Sequence, residues 1–497
     1  MFHLENSHPH LKDIFFLLSL TAGSILIHGY HPWAEDAALY LPAVAKLLDP
    51  RLFPFNSQFF ASHAGLTFFP EIVAALVRIS HLPLPVVLFL CHIGSIFLLL
   101  FACLKLAEKC FTQKHATYAG VALVAALLTL PVAGTALYIM DQYLNPRNVA
   151  AFAGVLVIVK LLDRKYLSAG LLLVFAAAVH PLMSIFAIFF ATLLFWIEAR
   201  ETAGASSALE TSAAVAAAIL PLGLLSRPSA AYHEAAVTHS YFYLLQWHWY
   251  EWLGVIGPIL ILWCFSRFSR LRAMRNLELL SRSLVCYEII FVVAALIFTT
   301  PARFESLARL QPMRSLYILY ILLILFSGCL LGAFLLKGHS WRWIVLFLPL
   351  CSGMLWAQRS LFPASPHIEW PGSKSRNAWV QAFEWARSNT PSEAVFALGP
   401  DYMHAPGEDE NGFRAIAQRS MLADKVTDGG AVAMFPEMAP EWLAQIEAQN
   451  GWDHFHREDF RRLKASYGVD WVVLPQSHPA NLSCPYANQQ VKVCQID

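Results

Sequence analysis

Charge is scarce in this sequence. Asp, Glu, Lys and Arg make up 14% of its residues against 57% apolar types, and the mean hydropathy is +0.51. A soluble globular chain needs more polar surface than that, so the composition excludes the ordinary soluble class and points to the membrane. Net charge is nearly absent too, at +1, which removes any general affinity for nucleic acid and leaves charge to be read loop by loop. The chain shows no Gly-rich phosphate loop, no zinc-type spacing of Cys and His, no fixed-period repeat and no low-complexity tract. Cysteine is confined mostly to apolar runs (Cys91, Cys103, Cys264, Cys286, Cys329, Cys351), with Cys110 in an adjoining loop. Cys484 and Cys494 fall in the charged C-terminal part, where a disulfide and two separate thiols both remain open.

Long apolar runs are what the sequence has instead. Residues 14–27, 84–104, 118–139, 149–162, 167–179, 182–197, 213–225, 252–266, 284–299, 316–336 and 343–356 read as about eleven crossings, several of them shorter than the roughly 20 residues a span prefers. They must be helices, because a bilayer offers no water to unpaired backbone amides. The first run reads as a helix rather than a signal peptide, since no small-residue cleavage site follows it. Residues 68–80 carry Pro70, Glu71 and Arg78 and read as a helix lying along the outer interface.

Lys and Arg set the orientation, because positive loops resist translocation. Arg267, Arg270, Arg272, Arg275 and Arg282 surround a single Glu278. The groups Lys105, Lys109 and Lys114, then Lys160, Arg164 and Lys165, then Lys337 and Arg342 share that cytoplasmic side, with acid-rich residues 198–210 as the exception. The reading is a multi-pass protein of the inner (cytoplasmic) membrane. It divides into an α-helical transmembrane bundle at 1–359, with a large first outer loop at 29–82, and an external (periplasmic) α/β domain at 360–497. In that domain residues 379–388, 440–449 and 455–466 read as helices, and 395–398 and 471–474 as buried strands.

Polar side chains at the membrane are expensive and therefore informative. Most of them converge on the outer face. Glu35 and Asp36 open an amphipathic helix; a carboxylate there is either stabilised by the helix N-terminus or is a general base, with Tyr40 one turn away on the same face. Asp141 and Arg147 bracket a tight polar turn and suit an ionic pair, although Arg147 also suits snorkelling to lipid phosphate. His180-Pro181 splits an apolar stretch in two and offers a donor or a proton carrier, unless it is only a proline break. Arg303, Arg309, Gln311 and Arg314 precede a span on the outer side, where positive charge suggests a bound anion held by a guanidinium fork. Residues 239–252, rich in Trp and Tyr, read as an interfacial belt or a stacking platform for a sugar ring.

In organisation the chain resembles the GT-C superfamily of membrane glycosyltransferases, which use polyprenyl-phosphate sugars at the outer face. Glu35-Asp36 with Tyr40 looks like the family's first-loop acidic motif. Residues 169–181 are similar to its short paired helices, and residues 385–391 to the start of its outer domain. A second-loop Asp-x-Glu motif and a Trp-Trp-Asp signature are lacking, which argues against oligosaccharyltransferase and leaves a divalent metal (Mg or Mn) open.

The resemblance implies transfer of a sugar from a polyprenyl-phosphate donor to an acceptor of unknown identity, with inversion, among membrane lipids. Asp36 would act as base, Glu35 would assist or hold a metal, and Arg314, Arg309, Arg303 or Arg147 would stabilise the leaving phosphate, with Tyr40, Asp141, His180 and Gln311 in support. A transporter or flippase, to which the intramembrane Glu288 would matter, and a non-catalytic subunit are the alternatives.

Overall fold

The computed structural model describes residues 11–203, 229–299 and 305–497. Arg303 and the expected span at 213–225 lie outside the described residues. Seven of the described helices are long and apolar enough to cross a membrane: Leu11–His28 (α1), Leu84–Cys110, Pro181–Arg200, Trp249–Leu271, Arg275–Thr299, Pro312–Leu336 and Ser340–Leu361. Shorter helices at Lys114–Ala126, Pro146–Leu162 and Tyr166–Val179 pack among them. This is a polytopic helical bundle followed by a small α/β domain.

The centre of the bundle is the helix Leu316–Leu331, buried along almost its whole length. It approaches Lys114–Ala126 so closely that a Cβ on Gly328 would sit 2.8 Å from Gly120 Cα. Small residues at such a crossing let two backbones meet, which is how helices gain contact energy where lipid gives no hydrophobic drive.

The span expected at 118–139 is corrected by the structure. Its helix stops at Ala126, and the next helix begins only at Pro146. Pro131 cannot continue a helix, and the intervening backbone folds into a bridge between Pro131 and Tyr138. Irregular backbone at membrane depth is tolerated where protein buries it or where it lines a cavity, and this segment does the second. The chain does break at His180, with helices Tyr166–Val179 and Pro181–Ala203 on either side.

One end of the bundle carries a belt of ion pairs. Asp13 with Lys114 (3.1 Å), Lys109 with Asp163 (2.5 Å), Arg164 with Glu198 (3.8 Å) and Arg270 with Glu278 (2.7 Å) draw the helix ends together there. From Asp13, α1 rises about 22 Å by helical geometry to His28 and delivers the first loop to the opposite end. There Tyr30 bridges to Ile368 and Ala34 to Asn411, so the C-terminal domain docks on the first loop. The loop contributes helices Ala37–Leu48 (α2), Gln58–Ala64 and Phe69–Ser80, the last two bent at 89° to one another.

The C-terminal domain is a five-stranded sheet, Val395–Ala397 (β1), Ser420–Met421 (β2), Trp471–Pro475 (β3), Ser483–Ala487 (β4) and Val491–Gln495 (β5), in the order β2-β1-β3-β5-β4. β1 runs parallel to β2 and β3, and β5 antiparallel to β3 and β4. Helices Ala378–Asn389, Ala439–Ala448 and Arg457–Tyr467 stand at or within a few residues of the positions read from sequence, while β2, β4 and β5 were not read there. Cys484 and Cys494 form a disulfide that joins β4 to β5.

Candidate functional site

Where the first loop, the bundle and the C-terminal domain meet there is a cavity of about 400 Å³, within the usual range for a small-molecule site. Of the residues singled out in the sequence, Glu35, Asp36, Tyr40, Arg147, His180, Gln311 and Arg314 line it.

Asp36 is the N-cap of α2, yet its side chain makes no capping hydrogen bond. The carboxylate is drawn instead to the turn before Pro146–Leu162. Asn145 caps that helix by accepting from Arg147 N–H (3.1 Å), and Pro146 takes the first helical position, where its missing N–H costs nothing. This places Asn145 Nδ2 3.2 Å and Arg147 Nη1 2.9 Å from Asp36 Oδ2. The other arm of Arg147 donates to the buried Asp141 at 2.7 Å. Arg147 is thus held between two carboxylates, in the ionic pairing with Asp141 that the sequence also suggested. The Asp36 side chain stays 38% exposed to the cavity, so an oxygen is presented to whatever enters.

The two neighbouring acids shift in opposite directions. Burial pushes Asp36 up, but Arg147, Arg314 and the bond from Asn145 outweigh it and hold the carboxyl below the usual range. Burial, followed by the charges of Glu410, Asp141 and Asp36, raises Glu35 well above that range. Glu35 N–H donates to Glu410 O (2.9 Å), and Tyr143 OH donates to Glu35 Oε2 (3.2 Å). The surroundings therefore favour the protonated form at Glu35 and the carboxylate at Asp36.

Arg314 has no carboxylate at ion-pair distance among the described residues. Its guanidinium lies 6.0 Å from the Tyr241 ring, and its Nε is buried without a partner. Around the same cavity stand His63, His180 and His239. Arg309 does not line the cavity; its Nη1 lies 3.5 Å from the carbonyl of Met434, which does. Gln311 Nε2 contacts Met434 Sδ at 3.3 Å, leaving Oε1 without a partner.

Glu410, His63, His239, Tyr241 and Tyr138 are cavity residues that sequence reasoning missed. The signal available for His239 and Tyr241 was the aromatic stretch at 239–252, read mainly as a belt. Its Trp249 and Tyr250 are indeed exposed, while its first residues turn inward. Glu410 reaches the site because the loop before Gly412 docks on α2, so closely that a Cβ on Gly412 would collide with that of Ala38.

Backbone strain gathers here too. Glu35 (φ 49°), Ala133 (45°), Ala136 (53°), Gln311 (48°) and Glu410 (57°) all line the cavity in the left-handed region. Each costs on the order of 1–3 kcal/mol and persists only where surrounding contacts enforce it, as at functional sites.

A narrow apolar crevice of about 30 Å³ leads from Arg147 and Arg314 into the bundle, past Ala150, Gly154, Phe186, Tyr317 and Ile321. The site also bears on the divalent metal that the family resemblance left open. Among the described residues no three or more His, Cys, Asp and Glu side chains are arranged to hold a metal ion. Asp36 is engaged by Arg147 and Asn145, while Glu35 and Glu410 present facing carboxyls, and no step is assigned to an ion here.

These observations define a class: a multi-pass membrane bundle with an appended α/β domain and a charged cavity between them. No protein-family model and no curated protein matches the sequence. Among solved structures, the fold is similar to the apo crystal structure of the Archaeoglobus fulgidus oligosaccharyltransferase, with 12% identity, 95% of this chain and 70% of that chain covered, and a TM-score of 0.48. It is similar also to oligosaccharyltransferase AglB from the same organism in complex with an inhibitory peptide and a dolichol-phosphate, with 12% identity, the same coverage and a TM-score of 0.49. A likeness at this level transfers no residue role to the present chain.

Proposed function

We propose that this chain is a membrane glycosyltransferase that moves a sugar from a polyprenyl-phosphate donor to an acceptor hydroxyl at the outer face of the membrane, inverting the anomeric centre. The observation that carries the reading is the pairing, in one cavity, of a carboxylate fixed by Arg147 with an arginine, Arg314, that has no carboxylate at ion-pair distance among the described residues. A phosphodiester bears one negative charge, which matches one unpaired guanidinium. The small apolar crevice beginning between Arg147 and Arg314 gives the phosphate site one apolar wall, with the isoprene tail itself in lipid.

In this reading Arg314 binds the donor phosphate and stabilises the charge that grows on it as the sugar departs. Asp36 accepts the hydrogen bond of the acceptor hydroxyl on the opposite side of the sugar and takes its proton. Because Asp36 is held below the usual range it is a weak base, so its proton transfer lags behind cleavage of the bond to phosphate. The Arg147–Asp141 pair fixes its orientation. Glu35 and Glu410 form the wall nearer the C-terminal domain, where their carboxyls offer hydrogen-bonding groups to the acceptor. The C-terminal domain lies outside the cytoplasm, and its disulfide is of a kind that persists in oxidising compartments.

Transport is the less favoured reading. Glu288, the acid it would rely on, lines neither the cavity nor the crevice. The reading is tested by reconstituting the protein with a polyprenyl lipid extract and following release of free polyprenyl phosphate. Wild type releases it and Asp36→Asn does not; equal release by both removes Asp36 from the reaction.

A further inference from the structure

Glu288 has no role in the reaction above, yet it is fully buried on the helix Arg275–Thr299. A buried carboxyl is costly unless its oxygens are met by partners. Here one side chain meets both: Ser315 Oγ lies 3.2 Å from Oε1 and 3.1 Å from Oε2. Ser315 is itself buried, and it directly follows Arg314.

The segment that carries Arg314 is the first turn of the span Pro312–Leu336, with Pro312, Met313 and Ser315 buried. It is a single 3-10 turn, Pro312–Ser315, entered through Gln311 in the left-handed conformation (φ 48°, ψ 57°) and closed by Arg314 N–H donating to Gln311 O at 2.9 Å. Such turns have weaker hydrogen bonds than an α-helix and are readily remodelled. Side chains tie down its two ends. Gln311 contacts Met434 of the C-terminal domain, and Ser315 binds Glu288 of the neighbouring helix. The first tie depends on domain docking, whereas the second is internal to the bundle.

We propose that Glu288 is a positioning residue, which through Ser315 holds the turn so that Arg314 faces the cavity. The proposal rests on the reading that Arg314 binds the donor phosphate. Its function is to accept and return hydrogen bonds, so an amide serves in its place; a proton carrier at this position would not tolerate that exchange.

Binding of farnesyl phosphate to the full chain in lipid nanodiscs tests this, with farnesol as the probe lacking phosphate. Glu288→Leu and Ser315→Ala each weaken farnesyl phosphate binding by about five- to tenfold and leave farnesol unchanged, while Glu288→Gln stays within about twofold of wild type. In an Arg314→Ala background Glu288→Leu adds nothing further, because the effect passes through the arginine. Should Glu288→Leu not fold, Ser315→Ala alone decides. Wild-type binding by Ser315→Ala, with Arg314→Ala impaired, overturns the positioning role and leaves the phosphate site standing. Loss of binding in Glu288→Gln as severe as in Glu288→Leu also overturns it. Normal binding by Arg314→Ala overturns the phosphate site, and the positioning role with it.

Discussion

Arg147 binds Asp36 through Nη1 at 2.9 Å while its Nη2 binds Asp141 at 2.7 Å, so one guanidinium joins a cavity carboxylate to a buried one. The geometry separates the two cavity arginines. Arg147 is a structural cation whose removal leaves the buried Asp141 uncompensated, whereas Arg314 is free to meet an anion.

That separation predicts opposite phenotypes. Arg147→Ala should lower unfolding stability by about 3–5 kcal/mol, as expected when one member of a buried ion pair is removed. Arg314→Ala should leave stability within about 1 kcal/mol of wild type and lose donor binding. Thermal unfolding in nanodiscs beside donor binding distinguishes them, and a reversed pattern would exchange the roles.

The opposite shifts of the two acids yield a second contrast. Asp36→Asn removes a charge present at neutral pH and should abolish transfer. Glu35→Gln replaces a protonated acid by an amide of the same shape and should retain most of it. Turnover of the two variants in one preparation is the comparison; equal loss in both would show that Glu35 works as a carboxylate.

Histidine burial sets an acid limit. Burial pushes His63 down to about 4 from 6.5 and lowers His239 as well. Between those pH values the unfolded chain takes up protons that the folded protein refuses, so stability is present above about 6.5 and is lost as pH falls toward 4. The melting temperature should fall over that window, and His63→Asn should flatten the slope. An unchanged slope in the variant would show that other groups carry the acid sensitivity.

Orientation is open to direct measurement. Reporter fusions after Leu280 and after Trp379 should give opposite compartments, the first cytoplasmic. The expectation rests on the ion-pair belt and the C-terminal domain lying at opposite ends of α1. The same compartment for both would mean that the chain crosses between them an even number of times.

Asp36, Tyr40, Arg147, His180, Gln311 and Arg314 were legible in the sequence because charge and polarity near a membrane are costly, which makes each such residue conspicuous. Glu410 and His63 were not. Glu410 lies in a polar segment where charge is cheap, and only the docking of the C-terminal domain on the first loop brings it to the cavity, while His63 is a lone histidine in a short apolar helix. Hydropathy also failed over 127–145, since apolar residues lining an irregular buried turn score like those of a helix. Pro131 and Gly134 were the available warning. Arg309 was legible as a cation beside a span, but nothing in the sequence showed that Met434 would receive it.

The lipid that accompanies the purified protein tests the central claim most directly, and the sugar does not have to be identified first. Native mass spectrometry of wild type and Asp36→Asn should reveal a polyprenyl phosphate bearing a sugar, enriched in Asp36→Asn because the donor binds and is not consumed, and depleted in Arg314→Ala. Bulk phospholipid alone in all three proteins, or equal amounts of polyprenyl phosphate in Arg314→Ala and wild type, would contradict a donor site built on Arg314.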